Sequence, residues 1–379
     1  MSSNLDIYME NRLYLSAPCF VLDEKKLYFS NRSCNALVIA DRETWNVESM
    51  VPFVGEEIDT RNLHFGCCKL GNNVCFLPHG KNKLHVYDTE SGEQKVYELG
   101  GGDNEVSDVL WLSHVWQDRI YLMPCGGDLR LWSLDLDGQL RMESWWGVNA
   151  DPDGDPTHGP IDEQRFFTLI KKTGEFIITN LEKKETETYY FPDKKLFYFA
   201  YDGRDFWYAS FDNADIVKWN PEDGEQERYS FPMWDKCNPG GLPYFFIYAV
   251  GQEIFVVSGT EKELFVLDKK ERILKPVFQF PEFSHIYKET ERLTFLTSVR
   301  DKLLWTFWGV GRAAVIDPKT MEGKMYQDVI PMNETVRDYF DKILFQNAPL
   351  IFEGGDGWDL ERFLYHCKTA LKETDRQSR

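Results

Sequence analysis

The chain has 379 residues and carries a formal net charge of −19, with a sequence pI near 4.9. Nucleic acids and anionic membranes bind through basic surfaces, so this charge argues against both as partners. No stretch approaches the roughly 18 apolar residues of a membrane-spanning helix, and the first residues lack the basic and then apolar pattern of a secretory signal. We therefore expect a cytoplasmic protein that does not insert into membranes.

One short pattern recurs along most of the chain: an apolar strand, a polar residue that ends it, a tight turn and a returning strand. The pattern occurs seven times, and the polar residues that end successive copies lie 40 to 49 residues apart. The seven strands are 37–41, 84–88, 129–133, 176–180, 216–220, 264–268 and 313–317. A repeat of this length that is built from strands is typical of β-propeller blades.

The second copy shows how each unit is built. Its sequence predicts four strands, which are rich in the β-branched and aromatic residues that half-buried strands favour. These strands are 63–69, 74–77, 83–88 and 94–99. The repeats resemble those of the β-propeller superfamilies, which include WD40, kelch, quinoprotein-type and streptogramin-lyase-like proteins. This resemblance implies an all-β fold, a seven-bladed β-propeller over residues 15–330.

The two ends of the chain fall outside the repeat. Residues 1–14 form a polar lead-in or an extra strand that closes the ring. Residues 331–379 switch to helical spacing, with Val336 and Tyr339 on one apolar face, Asn333 placed to cap the helix, and a second apolar stripe at 360–371. We expect a short C-terminal helical appendage on the flank of the propeller; the alternative is a docking or oligomer surface.

In a propeller, the loops between blades and the loops between the second and third strands of a blade lie on one face. Here these loops are longer and less regular than the hairpin turns of the opposite face, and such loops are where binding sites are usually built. We call this side the long-loop face and predict that it binds the ligand. Its candidate residues are Arg61, His64, His79, His114, Asp128, Trp234, His285, Arg292, Trp308 and Arg312.

Two histidines on predicted inner strands, His64 and His114, admit two interpretations. With Asp108 nearby in blade order, they are candidate catalytic residues that form an acid–base group at the mouth of the channel. The alternative is that each histidine forms hydrogen bonds between blades, and this is the interpretation we favour.

The acidic run at 151–155 is the candidate metal site. Asp151, Asp153 and Asp155 alternate in the manner of the oxygen ligands of a divalent cation, and Asp162 falls at the twelfth position of such a loop. Pro156 occupies the position where a calcium-binding loop requires glycine, so we favour a solvated acidic loop. The sequence indicates no other cofactor.

The eight cysteines show no Cys-x-x-Cys spacing, which argues against a zinc site. Most of them lie in or beside predicted strands, where a thiol acts as a small apolar side chain, and we expect them to be reduced. Cys68 and Cys75 are placed to face each other across a turn at Gly71.

Taken together, these patterns favour a non-catalytic module that recognises a protein, or a polar glycan-like ligand, through the long-loop face. The alternative is a lyase or hydrolase that acts on a polar substrate at the channel mouth, with or without a divalent cation. A β-propeller accommodates either function, so the fold does not decide between them.

Overall fold

A computed structural model gives the architecture of the chain. It describes residues 13–14, 20–31, 34–44, 46–57, 60, 63–79, 82–99, 111–126, 129–148, 156–192, 199–209, 215–229, 244–258, 263–279, 294–299, 302–307, 313–326, 329–330, 333–336 and 338–339. Nearly all of these residues belong to β-strands or to the turns between them.

The described strands form seven four-stranded antiparallel sheets, which we call blades 1 to 7, and in each blade the strands lie side by side in chain order. Blade 1 consists of β2 (Val21–Leu22), β3 (Lys26–Asn31), β4 (Ala36–Asp41) and β5 (Val47–Val51). Blade 2 consists of β6 (His64–Leu70), β7 (Asn73–Pro78), β8 (Lys83–Asp88) and β9 (Gln94–Glu98). Blade 3 consists of β10 (Trp111–Trp116), β11 (Arg119–Pro124), β12 (Trp132–Asp135) and β13 (Leu140–Met142).

The remaining four blades repeat this plan. Blade 4 consists of β14 (Pro156–Pro160), β15 (Arg165–Ile170), β16 (Glu175–Asn180) and β17 (Glu185–Tyr190). Blade 5 consists of β18 (Phe199–Tyr201), β19 (Phe206–Ala209), β20 (Ile216–Trp219) and β21 (Gln226–Tyr229). Blade 6 consists of β22 (Tyr244–Val250), β23 (Glu253–Ser258), β24 (Glu263–Asp268) and β25 (Ile273–Gln279). Blade 7 consists of β26 (Thr294–Val299), β27 (Lys302–Phe307), β28 (Ala313–Ile316) and β29 (Gly323–Tyr326).

The third strand of each blade corresponds to a strand of the predicted repeat, and its polar end bonds the turn that follows. Asp88 Oδ1, for example, accepts hydrogen bonds from the N–H groups of Glu90 and Ser91 at 2.8 and 2.9 Å. Gly92 then adopts a left-handed backbone with φ of 75°, which glycine does at no steric cost. The same side-chain bonding to the turn occurs at Asp41, Asn180, Asn220, Asp268 and Asp317.

In blade 3 the predicted repeat strand, 129–133, begins three residues and ends two residues too early. The third strand is Trp132–Asp135, and Asp135 rather than Ser133 accepts the bond from the turn, from the N–H of Gln139 at 2.8 Å. Ser133 is fully buried, and its hydroxyl bonds Glu143 Oε1 at 2.6 Å. Both residues are polar and lie two apart on one face of the strand, so a period-two pattern does not distinguish them.

The inner strand of blade 4 begins directly after the acidic run at 151–155, for which the sequence favours a solvated loop. The strand β14 starts at Pro156 and contains His158, which pairs with Thr168 of β15. Asp162 lies in the turn after β14, where its Oδ1 accepts the N–H groups of Gln164 and Arg165 at 2.9 Å each.

The blades follow one another in chain order around the molecule. Each inner strand contacts the inner strand of the next blade, from β2 through β6, β10, β14, β18 and β22 to β26. A separate two-stranded sheet pairs β1 (Leu13–Tyr14) with β30 (Val329–Ile330). The sheet joins the chain before blade 1 to the chain after blade 7. The strand β1 lies within residues 1–14, where the sequence predicts either a polar lead-in or an extra strand.

The apolar core lies between neighbouring blades. Clusters of buried side chains join blades 1 and 2, 2 and 3, 3 and 4, 4 and 5, and 5 and 6. Between blades 4 and 5 the ring of Phe176 meets those of Phe206 and Trp219 edge-on, at centroid distances of 4.8 and 5.0 Å. Such edge-to-face pairs stabilise the packing beyond the area they bury.

After blade 7 the chain packs on blade 1, where residues 334–336 and 338–339 are helical. Asn333 caps this helix as predicted, since its Oδ1 accepts the N–H of Val336 at 3.0 Å and its Nδ2 donates to the Val47 carbonyl at 2.6 Å. Val336 is fully buried, and the Tyr339 hydroxyl donates to the carbonyl of Asn35. The predicted second apolar stripe lies outside the described residues. No helix in the described part of the chain is long and apolar enough to cross a membrane.

Candidate functional site

Three of the predicted ligand-binding residues, His64, His79 and His114, lie in the described part of the chain. The others lie outside it and stay predictions: Arg61, Asp128, Trp234, His285, Arg292, Trp308 and Arg312, together with Asp108 and the candidate metal ligands Asp151, Asp153 and Asp155. Within the described ranges, no group of three or more His, Cys, Asp or Glu side chains is arranged to hold a metal ion.

His64 belongs to a buried chain of hydrogen bonds that crosses from blade 1 to blade 2. Its Nδ1 lies 2.8 Å from Ser30 Oγ on β3, and its Nε2 lies 2.9 Å from His85 Nδ1 on β8. His85 Nε2 in turn lies 3.2 Å from the carbonyl oxygen of Val54, in the connection between the two blades. We call Ser30, His64 and His85 the histidine chain.

The carbonyl oxygen of Val54, at the end of the histidine chain, determines which atom donates in each of its hydrogen bonds. A backbone carbonyl only accepts, so His85 Nε2 donates to Val54, and His85 Nδ1 accepts from His64 Nε2. The Ser30 hydroxyl then donates to His64 Nδ1, and every ring nitrogen is bonded while both imidazoles are neutral. Burial, followed by the repulsion that a protonated His85 would exert on a protonated His64, holds the pKa of His64 well below its ordinary value of 6.5.

Two further histidines bond between blades 3 and 4. His114 Nε2 donates to the carbonyl of Glu163 at 2.9 Å. His158 Nε2 donates to the carbonyl of Pro124 at 2.9 Å, and its Nδ1 accepts from the Thr168 hydroxyl at 2.8 Å. Burial lowers the pKa of both rings, that of His158 to about 4. The bonding between blades that we favoured for His64 and His114 is therefore present for both.

The described contacts do not bring His64 and His114 together. His64 bonds Ser30 and His85, whereas His114 bonds the backbone of Glu163. A general acid or base needs a ring nitrogen within reach of the reacting group, and both ring nitrogens of His64 already have protein partners. The catalytic interpretation therefore gains nothing from His64.

His79 lies just after β7 and is partly exposed. Its ring stacks on that of Phe65 at a centroid distance of 5.8 Å, and its N–H donates to the carbonyl of Leu63 at 2.9 Å. His79 therefore lies beside the connection between blades 1 and 2, and its part in ligand binding stays a prediction.

That connection, residues 52–57, is held by side chains along its length, and we call it the clamped loop. Five consecutive backbone carbonyls accept hydrogen bonds from side chains of blades 1 and 2. The pairs are Pro52 with Gln94 Nε2 (2.9 Å), Phe53 and Glu56 with Asn35 Nδ2 (3.3 and 3.0 Å), Val54 with His85 Nε2 (3.2 Å), and Gly55 with Lys83 Nζ (2.9 Å). Since so many of its polar groups are bonded to a fixed scaffold, the loop has little freedom to move.

The clamped loop places one apolar side chain inside and the next one outside. Phe53 is 1% exposed, and its ring packs against those of His64, Phe76 and His85 at centroid distances of 4.3, 5.0 and 5.2 Å. Val54 is 54% exposed, although its backbone is bonded on both sides, by His85 and by Gln94. The loop therefore presents Val54 at the surface in a fixed position.

Most residues of the clamp are absent from the candidates that the sequence predicts. His85 interrupts an apolar strand between Leu84 and Val86, which is a signal for a buried polar role. Asn35, Lys83 and Gln94 look like ordinary residues of turns and strand ends, because their partners are backbone carbonyls that leave no trace in the side-chain pattern.

Comparison with known proteins identifies the chain as a β-propeller and assigns it to no narrower family. No protein-family model matches the sequence, and no curated protein matches it significantly. Three solved structures of similar fold are the RRP9 WD40 repeats (10% identity, TM-score 0.53, 78% of this chain and 88% of that chain), BamB from Moraxella catarrhalis (14%, 0.50, 78% and 83%) and the dihydro-heme d1 dehydrogenase NirN (14%, 0.50, 86% and 68%). Identities this low show the fold alone.

Proposed function

We propose that this β-propeller is a non-catalytic scaffold that binds a partner protein through its long-loop face, with the clamped loop as one contact. The observation that carries the proposal is the clamp itself: side chains of two blades bond five consecutive carbonyls and hold an exposed valine at the surface. A loop that is ordered before binding loses little conformational entropy when a partner docks, so its contacts contribute more fully to affinity.

The described histidines support binding rather than catalysis. The ring nitrogens of His64 and His158 are bonded within the protein, and burial lowers the pKa of both rings. These rings act as neutral links between blades. The likeness to solved structures favours neither function, since the neighbours include WD40 repeats as well as a dehydrogenase.

The chemistry of the clamped loop suggests the kind of partner surface. Val54 stands between the exposed Pro52 and the exposed carboxylate of Glu57, on a chain whose net charge is −19. The complementary surface is an apolar pocket with a basic rim, because a basic rim attracts the acidic chain during approach and a pocket desolvates the valine. A protein offers both features more readily than a glycan does.

The test compares two aspartate substitutions of exposed apolar residues. Val54→Asp changes the clamped loop, whereas Leu136→Asp changes a side chain that is 48% exposed in a hairpin turn of the opposite face. Tagged full chains are mixed with extract of the producing cells, and bound proteins are quantified by mass spectrometry. We expect a partner retained by the wild type and Leu136→Asp and depleted about tenfold or more from Val54→Asp, since burying a carboxylate costs more than the about 1.4 kcal/mol that a tenfold change represents.

Equal retention of the partner by both variants would contradict a role for the clamped loop. Circular dichroism and the thermal midpoint show whether either variant has lost its fold. A small molecule retained in native mass spectrometry and turned over by the wild type, with turnover lost in His114→Gln, would instead favour the lyase or hydrolase alternative.

A further inference from the structure

Cys68 and Cys75 form a pair of thiols that the proposed binding function does not use. They are direct partners across β6 and β7, on the two sides of the turn at Gly71, as the sequence predicts. Both are free cysteines, and their side chains are hydrogen-bonded to each other. The two sulfur atoms are therefore neighbours in the reduced protein.

The pair lies where blade 2 packs on blade 3. Cys75 is fully buried in the apolar cluster between these blades, and Cys68 is partly exposed and packs against the same cluster. Hydrogen bonds from Cys75 and from Ser113 of β10 lower the pKa of Cys68, whereas the bond to Cys68 and burial raise the pKa of Cys75. Burial opposes this lowering at Cys68, but the net shift is downward. Cys68 is thus the less buried residue of the two and the one whose thiolate, the reactive form, is favoured.

We propose that Cys68 and Cys75 are a redox site that forms a reversible cross-strand disulfide on reaction with hydrogen peroxide. The Cys68 thiolate attacks the peroxide, so that an S–O bond forms and the O–O bond breaks, which leaves a sulfenic acid and a hydroxide that takes up a proton to become water. The Cys75 thiol then attacks the sulfenic sulfur; an S–S bond forms, and the oxygen leaves with the thiol proton as a second water. The two thiols supply the two electrons that reduce one peroxide.

The register of β6 and β7 suits this bond and explains why it is reversible. Residues directly opposite in an antiparallel pair have Cα atoms about 4.5–5.5 Å apart, within the roughly 4.4–6.8 Å that disulfides span. Their Cβ atoms begin about 4.5–5.5 Å apart, wider than the roughly 3.5–4.5 Å of a relaxed disulfide. The bond therefore forms with local strain, and strained disulfides are the ones that reductants open readily.

The neighbouring Cys67 supplies a matched control. Successive residues of a strand point to opposite faces, and Cys67 packs against the cluster between blades 1 and 2 rather than that between blades 2 and 3. It is adjacent in sequence to Cys68, and its side chain is on the other side of the sheet.

The test uses the positions of the tryptic sites. Cleavage after Arg61, Lys69 and Lys81 places Cys67 and Cys68 in peptide 62–69 and Cys75 in peptide 70–81. The folded full chain is treated with hydrogen peroxide, unfolded with an alkylating agent present, digested, and analysed by mass spectrometry without reduction. We expect a linked pair of these peptides, two hydrogens lighter than their sum, which disappears after treatment with dithiothreitol.

Three variants show which cysteine forms the bond to Cys75 and whether Ser113 assists. Cys67→Ser is expected to retain the link, Cys68→Ser to lose it completely, and Ser113→Ala to form it more slowly. Peptides that stay separate after peroxide, or that carry a sulfinic acid at Cys68, would overturn the proposal, as would a link that persists in Cys68→Ser through Cys67. If a variant does not fold, fragmentation of the linked wild-type peptide still shows whether residue 67 or 68 carries the bond.

Discussion

The ring of His158 is held neutral in the interface between blades 3 and 4. Burial lowers its pKa to about 4, against about 6.5 in an unfolded chain. Below pH 6.5 the unfolded chain binds a proton that the folded chain does not, so the free energy of unfolding falls as the pH drops from about 6.5 to about 4 and is unaffected by this group above that window. The shift corresponds to about 3 kcal/mol at the acid end.

His158→Asn is therefore expected to flatten the acid dependence of stability. The measurement is urea unfolding from about pH 7.5 to about pH 4.5 for the wild type, His158→Asn and the control His79→Gln, whose side chain is partly exposed on the long-loop face. His64 and His114 act in the same direction, so the slope becomes smaller rather than zero. An equally steep slope in His158→Asn, or a flatter one in His79→Gln, would contradict this account.

At the residue scale, the sequence predicts what is local. The turn bonds of Asp88 join residues two and three positions apart, so the side-chain type at a strand end is enough to expect them. The clamp of residues 52–57 could not be predicted, because Asn35 and Gln94 lie 18 and 42 residues from the carbonyls that they bond. Pairings over such distances depend on the way the blades are packed.

At the scale of elements, the helix after blade 7 depends on blade 1. A helix this short is unstable alone, so its contacts with the propeller must stabilise it. One of those contacts involves Asn35, which also holds the clamped loop. The carbonyl of Asn35 accepts a hydrogen bond from the Tyr339 hydroxyl, and the Asn35 side chain donates to the carbonyls of Phe53 and Glu56. The C-terminal helix and the clamped loop are therefore joined through a single residue.

Tyr339→Phe is expected to lower the free energy of unfolding by about 1–2 kcal/mol, because it leaves the buried carbonyl of Asn35 without this donor. Tyr190→Phe is the matched control, since Tyr190 is 76% exposed and the same change there should cost less than about 0.5 kcal/mol. Chemical denaturation of the two variants beside the wild type measures both values. Equal effects at the two positions would show that the Tyr339 hydroxyl does not hold the helix.

At the scale of the whole molecule, the sequence pattern predicts the blades but not the contacts between the two ends of the chain. Each blade carries its own alternating pattern and turn residues, so a repeat count predicts it from the sequence. Closure depends on contacts between the ends: Leu13 pairs with Ile330, and the bonds of Asn333 to Val47 and of Tyr339 to Asn35 span 286 and 304 residues. No periodic pattern encodes such contacts, although the apolar helical face at Val336 and Tyr339 predicts that this segment is buried against another part of the protein.

The net charge of −19 acts on the molecule as a whole. Like charges repel more strongly in the compact state than in the expanded one, so unscreened charge destabilises the fold. Salt shortens the Debye length to about 8 Å at about 0.15 M and screens this repulsion, while partly buried pairs such as Lys83 with Glu56 are screened less. We therefore expect the thermal midpoint at neutral pH to rise as NaCl increases from about 20 mM to about 300 mM.

The same rise is expected with KCl, because screening depends on ionic strength rather than on the identity of the cation. The control uses the same chain near its pI of 4.9, where the net charge is close to zero and added salt should leave the midpoint nearly unchanged. A midpoint that falls with salt at neutral pH would mean that attractive ion pairs outweigh the overall repulsion. In that case the acidity would stabilise the propeller through local pairing, and the acidic surface could not be treated as a general cost that a basic partner relieves on binding.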